Sequence, residues 1–195
     1  MINDVIIIDD IIPKQYQDAI ENFMLGEGSI PWYLQNDITY SGINGSIAGI
    51  ERKYPAFAHL FKNEDGFQTQ KLDFVLPLAF SACEKINFKI NAVLRVRSFL
   101  QLPTYLPLVK NNPHIDMARD HLVCLYYVND SQGPTSIYEE KYTEVPMKKV
   151  GTTNFHLLKE VEPKKGRCVL FNGMHYHASS TPMTDKRCIL NFDII

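Results

Sequence analysis

The segment NNPHIDMARDH (111–121) sets His114 and Asp116 two positions apart. In an extended strand residues i and i+2 point to one face, so an imidazole nitrogen and a carboxylate oxygen can approach one metal ion together. Downstream, FNGMHYHASS (171–180) offers His175 and His177, again two apart, where the apolar run GRCVLF ends. Two imidazoles and one carboxylate on one face of an octahedron leave three positions open, the arrangement of non-haem Fe(II) centres that bind a co-substrate and O2. All four groups together, His114, Asp116, His175 and His177, would instead close a tetrahedral zinc site with no open position. Arg187 follows His177 by ten positions. Its guanidinium can grip the far end of a dicarboxylate through two parallel hydrogen bonds.

Such residues must be positioned by a scaffold, and the chain reads as two regions. DVIII (4–8) has the pattern of a short strand. PKQYQDAIENFMLG (13–26) carries Tyr16, Ala19, Ile20, Phe23 and Met24 at helical spacing, with Pro13 at its start and Gly26 at its end. A second helical pattern covers 71–87, with Leu72, Val75, Leu76, Ala79, Phe80, Cys83 and Ile86 on one side; Pro77 either kinks it or marks its beginning. Between the helices, IPWYLQNDITYSGINGS (30–46) reads as an extended segment entering a loop. From about residue 91 the segments AVLRVRSFL, HLVCLYYVN, TSIYEE, GRCVLFN and RCILNFDII are short, β-branched and aromatic, with NDSQGP and EPKKG as turns. About eight strands are expected there, as a sandwich or barrel on supporting helices. The expected organisation is one domain over 1–195, with 1–90 as helical and extended support and 91–195 as the β core.

Bulk properties exclude several classes. A protein of 195 residues with 45% hydrophobic and 22% charged residues can bury a sizeable core. A net charge of −2 gives no electrostatic reason for a nucleic-acid or anionic-membrane partner. The basic pairs Lys148-Lys149 and Lys164-Lys165 read as solvated turns. No apolar run approaches the roughly 20 residues of a membrane-spanning helix. The first residues lack a basic segment and are broken by Asp4, Asp9 and Asp10, unlike a signal peptide. Cys83, Cys124, Cys168 and Cys188 show no CxxC spacing and read as buried free thiols of a reduced, cytoplasmic protein.

Over 91–195 the order His114-x-Asp116, LVCLYYVNDSQGPTSIYEE, GRCVLFN…His and Arg187 resembles the 2-oxoglutarate/Fe(II)-dependent dioxygenase superfamily, in its prolyl 4-hydroxylase-like branch. The resemblance implies a double-stranded β-helix (a jelly roll, cupin-like) with N-terminal helices buttressing it. It implies His114 and Asp116 as iron ligands, and His177, followed by Ala178-Ser179 as in the family, as the third. Arg187 would take the 2-oxoglutarate C5 carboxylate, assisted by Tyr127; Tyr126 points to the other face. The cofactors implied are Fe(II), 2-oxoglutarate and O2, with ascorbate as reductant, and no catalytic side chain beyond the metal ligands. The implied reaction hydroxylates an unactivated C–H of a peptidyl, even prolyl, or amino-acid-like small-molecule substrate, releasing succinate and CO2. A carboxylate at 116, where halogenating relatives carry a small residue, points to hydroxylation. Three departures stand out. Gly133-Pro134 replaces the family's paired glycines, Tyr105 is out of register with the tyrosine preceding the HxD pair, and Asp193 stands where nucleobase demethylases carry a second arginine.

The other polar residues have plainer readings. His59, His121 and His156 read as surface or hydrogen-bonded histidines, with His121 the nearest to the motif. Arg95 and Arg97 share a strand face and read as strand-edge charge rather than cleft lining. Trp32 reads as a packing residue. Neither the substrate nor the oligomeric state is legible, and the segments 103–113 and 139–152 are the candidate substrate loops.

Overall fold

The computed structural model describes residues 2–28, 30–36, 38, 55–104, 110–146, 149–150 and 153–195. The described elements run β1 (Ile6–Ile8), α1 (Lys14–Leu25), β2 (Tyr33–Gln35), β3 (Ala56–Lys62), α2 (Leu72–Lys85), β4 (Val93–Gln101), β5 (Leu122–Tyr127), β6 (Thr135–Lys141), β7 (Leu157–Val161), β8 (Cys168–Asn172), β9 (His175–Ser179) and β10 (Arg187–Ile194). A seven-stranded sheet of order β1-β8-β5-β10-β4-β3-β2 faces a three-stranded sheet of order β7-β6-β9, and all the pairings are antiparallel. This is the expected jelly-roll architecture with helices beside it.

Both helices follow their sequence pattern closely. Helix α1 begins after Pro13, whose ring presets the backbone and whose missing N–H costs nothing at a helix start. It buries Gln17, Ile20 and Met24, while Gly26 donates its N–H to the Asn22 carbonyl at 2.8 Å and ends the helix. Helix α2 starts at Leu72, so Pro77 lies inside it. It buries Leu72, Val75, Leu78, Ala79, Ala82 and Cys83, whereas Phe80, expected on that side, faces solvent.

The large sheet is covered on both faces, which explains its unbroken apolar runs. On β5, Leu122, Cys124 and Tyr126 pack toward the helices with Ile20, Met24 and Val75. The alternate residues Val123, Leu125 and Tyr127 pack between the sheets with Ile137, Val161 and Phe171. Period-two alternation therefore divides one strand between two cores. All four cysteines are buried and free, with Cys124 Sγ 3.2 Å from Cys168 Sγ. Among the described residues of 91–195 there are seven strands rather than about eight, and no described helix is long and apolar enough to cross a membrane.

Candidate active site

The intersheet face of β10 carries Arg187, Ile189, Asn191 and Asp193. Their partners across the ladder on β4 are Gln101, Phe99, Arg97 and Arg95. Strand β4 lies between β10 and β3, so Arg95 and Arg97 are not edge charges. They line a cavity of about 330 Å³ that also holds His114, Asp116, His177 and Arg187. The burial of both faces of the sheet turns charge on this face inward. Along the floor the lining changes from polar (Arg187, Thr135) through apolar (Ile189, Phe99, Leu125) to polar again (Asn191, Arg97, Asp116).

At the second polar end, segment 110–114 runs alongside β9. Asn111 donates its N–H to the Ser179 carbonyl at 2.8 Å, and Lys110 bridges Ser180. His114 and His177 then exchange both backbone bonds, at 3.0 and 2.9 Å, so the two imidazoles stand side by side with centroids 4.6 Å apart. The Nδ1 atoms face the Asn112 and His175 carbonyls at 3.1 and 3.3 Å. A carbonyl can only accept, so each Nδ1 holds a proton and Nε2 is the ring atom left to bind a metal. Asp116 Oδ2 lies 3.3 Å from His177 Nε2. Potential ligand atoms of His114, Asp116 and His177 all fall within 4.8 Å of one another, and no other such trio occurs among the described residues.

The Asp116 carboxylate is held from several sides. Its Oδ1 accepts from the Arg97 guanidinium, its Oδ2 accepts from Asn191 Nδ2 at 3.1 Å, and its backbone carbonyl accepts from Arg95 Nη2 at 2.8 Å. Burial opposes its ionisation, but Arg97 and His177 outweigh burial and hold the carboxyl well below the usual carboxylate range. Burial, aided by its neighbour His177, depresses the His114 imidazole to about 4, so it is neutral at pH 7. Two imidazoles and an anionic carboxylate converging in this way are a donor set that suits a divalent transition metal. Arg95 Nε also donates to Asp193 at 2.7 Å, and burial raises the Asp193 carboxyl. His121, fully buried, stands 3.6 Å from Asp193 over Gly173, where any Cβ would collide with the ring.

At the first polar end Arg187 is 1% exposed. Its Nε, Nη1 and Nη2 donate to the Gly133 carbonyl, Gln101 Oε1 and Thr135 Oγ1 at 2.8, 2.9 and 2.8 Å. These acceptors are neutral, and among the described residues no carboxylate pairs with it. Burial lowers its pKa, a measure of how poorly the charge is solvated. Tyr127 stacks its ring 5.5 Å from the guanidinium and donates its hydroxyl to Thr135 Oγ1 at 2.7 Å. The hydroxyl on the cavity wall is Thr135's, with Tyr127 behind it. Gln101, Thr135 and Asn191 carry no motif of their own. The signal that could have found Asn191 is its placement four residues after Arg187, on the same strand face.

His175 opens β9. A register shift in the β6–β9 pairing separates it from His177, and its Nδ1 lies 2.7 Å from the Tyr138 carbonyl. It does not join the converging trio, so the four-ligand arrangement does not form. His59 is buried with Nδ1 2.8 Å from the Pro31 carbonyl, and His156 is exposed beside Glu140. Trp32 packs against the helix-side core. Tyr105, Lys148 and parts of the two candidate substrate loops lie outside the described residues.

The two facing antiparallel sheets have the fold of solved 2-oxoglutarate/Fe(II) oxygenases. The protein is similar to an oxidoreductase of the 2OG-Fe(II) oxygenase family from Burkholderia pseudomallei, with a TM-score of 0.65 at 10% identity, over 97% of this chain and 84% of that one. It is similar to a Trichoplax adhaerens prolyl hydroxylase solved with a hypoxia-inducible-factor peptide fragment (TM-score 0.61, 12% identity, covering 98% and 84%). Streptomyces hygroscopicus HygX, solved with nickel, 2-oxoglutarate and hygromycin B, matches with a TM-score of 0.59 at 12% identity, covering 97% and 82%. No protein-family model and no curated protein matches the sequence.

Proposed function

We propose that this protein is an Fe(II)- and 2-oxoglutarate-dependent dioxygenase that hydroxylates a C–H bond of a peptidyl or amino-acid-like substrate. The observation that carries the reading is the shared cavity: three converging metal donors at one end, and at the other a buried guanidinium that has no carboxylate partner among the described residues. His114, Asp116 and His177 would hold the iron. When bound, iron, 2-oxoglutarate and O2 supply the oxidising power, with ascorbate keeping the metal reduced.

The protein's own residues do the positioning. The three neutral bonds on Arg187 fix its fork without neutralising it, so its charge is left for the C5 carboxylate. Phe99, Leu125 and Ile189 suit the methylenes of the diacid and keep water away from them. Arg97 and Asn191 orient Asp116, and the Nδ1 bonds orient both imidazoles. A carboxylate at 116 occupies the place a halide would need, which supports hydroxylation. Fold neighbours carrying a peptide fragment in one case and hygromycin B in another support either a peptidyl, including prolyl, or a small-molecule substrate. Free buried thiols fit a reducing, cytoplasmic setting.

The test is succinate formation from 2-oxoglutarate with Fe(II) and ascorbate. His177→Ala is expected to lower turnover by about a thousandfold or more, and His175→Ala to retain it. Absence of succinate from the wild type, with equal metal loss in both variants, overturns the reading in favour of a closed zinc site.

A further inference from the structure

The charges in the cavity do not balance, and the imbalance has a location. Among the described residues, Arg95, Arg97 and Arg187 face two carboxylates, Asp116 and Asp193, which leaves one excess positive charge. A divalent metal and the doubly charged co-substrate of the proposed reaction cancel each other, so filling the site does not remove that excess. Arg187 is enclosed, whereas the side chains of Arg95 and Arg97 are 21% and 24% exposed. Within the protein alone the unpaired charge is that of Arg187; once the C5 carboxylate takes it, the surplus lies at the accessible end, where Arg95, Arg97 and a divalent metal would face Asp116, Asp193 and the C1 carboxylate. Arg97 spends Nη2 on Asp116 and lies over the Phe99 ring at 5.1 Å, while its buried Nε has no hydrogen-bond partner among the described residues. A buried donor without an acceptor costs about 1–3 kcal/mol unless something binds to it. Once Asp116 shares its charge with a metal, Arg97 is less fully neutralised still.

We propose that the substrate carries a carboxylate, bound by the Arg95–Arg97 pair beside the metal trio. This rests on the dioxygenase reading and adds the substrate's chemical class. A single excess charge matches a monoanion better than a dianionic phosphate ester, and the planar guanidinium fork matches the two oxygens of a carboxylate. Peptides with acidic side chains, the free carboxyl end of a peptide, and free amino or hydroxy acids all satisfy this chemistry.

The experiment uses the full-length protein with Mn(II) and 2-oxoglutarate in the absence of oxygen, and reads paramagnetic broadening of probe NMR signals. The probes are matched acid and amide pairs, benzoate with benzamide and N-acetylglycine with N-acetylglycinamide. The acids are expected to broaden at about tenfold lower concentration than the amides, since a charge-assisted pair is about twice as strong as a neutral one. Arg95→Gln should shrink that preference to about twofold and Arg95→Lys should keep most of it. Equal broadening of acids and amides by the wild type overturns the proposal whatever the variants do. So does a preference that survives Arg95→Gln unchanged, because direct coordination to Mn(II) then explains it. Should Arg95→Gln fail to fold, the salt dependence of the wild-type preference decides: insensitivity to salt counts against the arginines. Failure of wild type to bind 2-oxoglutarate with Mn(II) by calorimetry sinks the dioxygenase reading itself, and the two failures are thereby separated.

Discussion

The two sides of strand β10 obey different rules within eight residues. Toward the helices it presents Cys188, Leu190, Phe192 and Ile194, all buried in one apolar cluster with Ile20, Met24 and Val75. Toward the small sheet it presents Arg187, Asn191 and Asp193, equally buried, with Ile189 as the one apolar member. The first face gains stability from dispersion and water exclusion. The second encloses two charges and an amide whose desolvation works against folding, and each is held by a neighbour: Arg187 by Gln101 and Thr135, Asn191 by Asp116, Asp193 by Arg95. Equal burial thus means opposite things on the two faces. One face makes the protein stable; the other encloses the polar ends of the cavity.

Four substitutions or conditions test that division. Phe192→Ala, on the helix side, should cost about 3–5 kcal/mol of unfolding free energy and leave the 2-oxoglutarate affinity of the folded fraction unchanged. Urea melts with calorimetry check both, and a large loss of affinity would show the faces to be coupled. On the cavity side, His114 titrates at about 4 in the folded protein against an ordinary 6.5, because burial disfavours its charged form. The unfolded state therefore binds a proton between those values that the folded state does not. The contribution is fully present above pH 6.5 and is lost as pH falls toward 4, by about 3 kcal/mol. Metal-free melts across that window should show the loss, and His114→Asn should flatten it; an unchanged slope in the variant breaks the assignment.

The ligand tests are smaller. At a 2-oxoglutarate concentration about a hundred times its Kd, the metal-loaded wild type should gain about 2.7 kcal/mol of stability. Arg187→Gln should lose most of that gain, as a thermal shift with and without the diacid would reveal. His175→Ala should cost only about 1 kcal/mol, the bond to the Tyr138 carbonyl, and change metal affinity less than about twofold. A tenfold fall in affinity would put His175 back in the coordination sphere.

What was legible in the sequence is what short-range chemistry encodes. The spacing of His114, Asp116, His177 and Arg187 marked four residues that share the cavity, and both helices and strands β4, β5, β6, β8 and β10 follow their local patterns. Strand β3, AFAHLFK, escaped because it has no β-branched residue, and β7, LLKEV, because four of its five residues are exposed. The role of Arg95 and Arg97 was hidden for a different reason. Whether a charged strand is an edge or an interior strand depends on the order β5-β10-β4-β3, which joins segments distant in sequence. The same order hides Thr135 and Gln101, which reach Arg187 from β6 and β4.

The reciprocal backbone bonds between His114 and His177 have a kinetic consequence. Segment 110–114 lies against β9 through a few bonds only, so this short seam is the part of the site that can peel away. Each parting of the seam would separate the two imidazoles and break up the trio, so the opening frequency of residues 110–116 sets how often the donor set is taken apart. The amide hydrogens of His114 and His177 should trade with deuterium on that same clock.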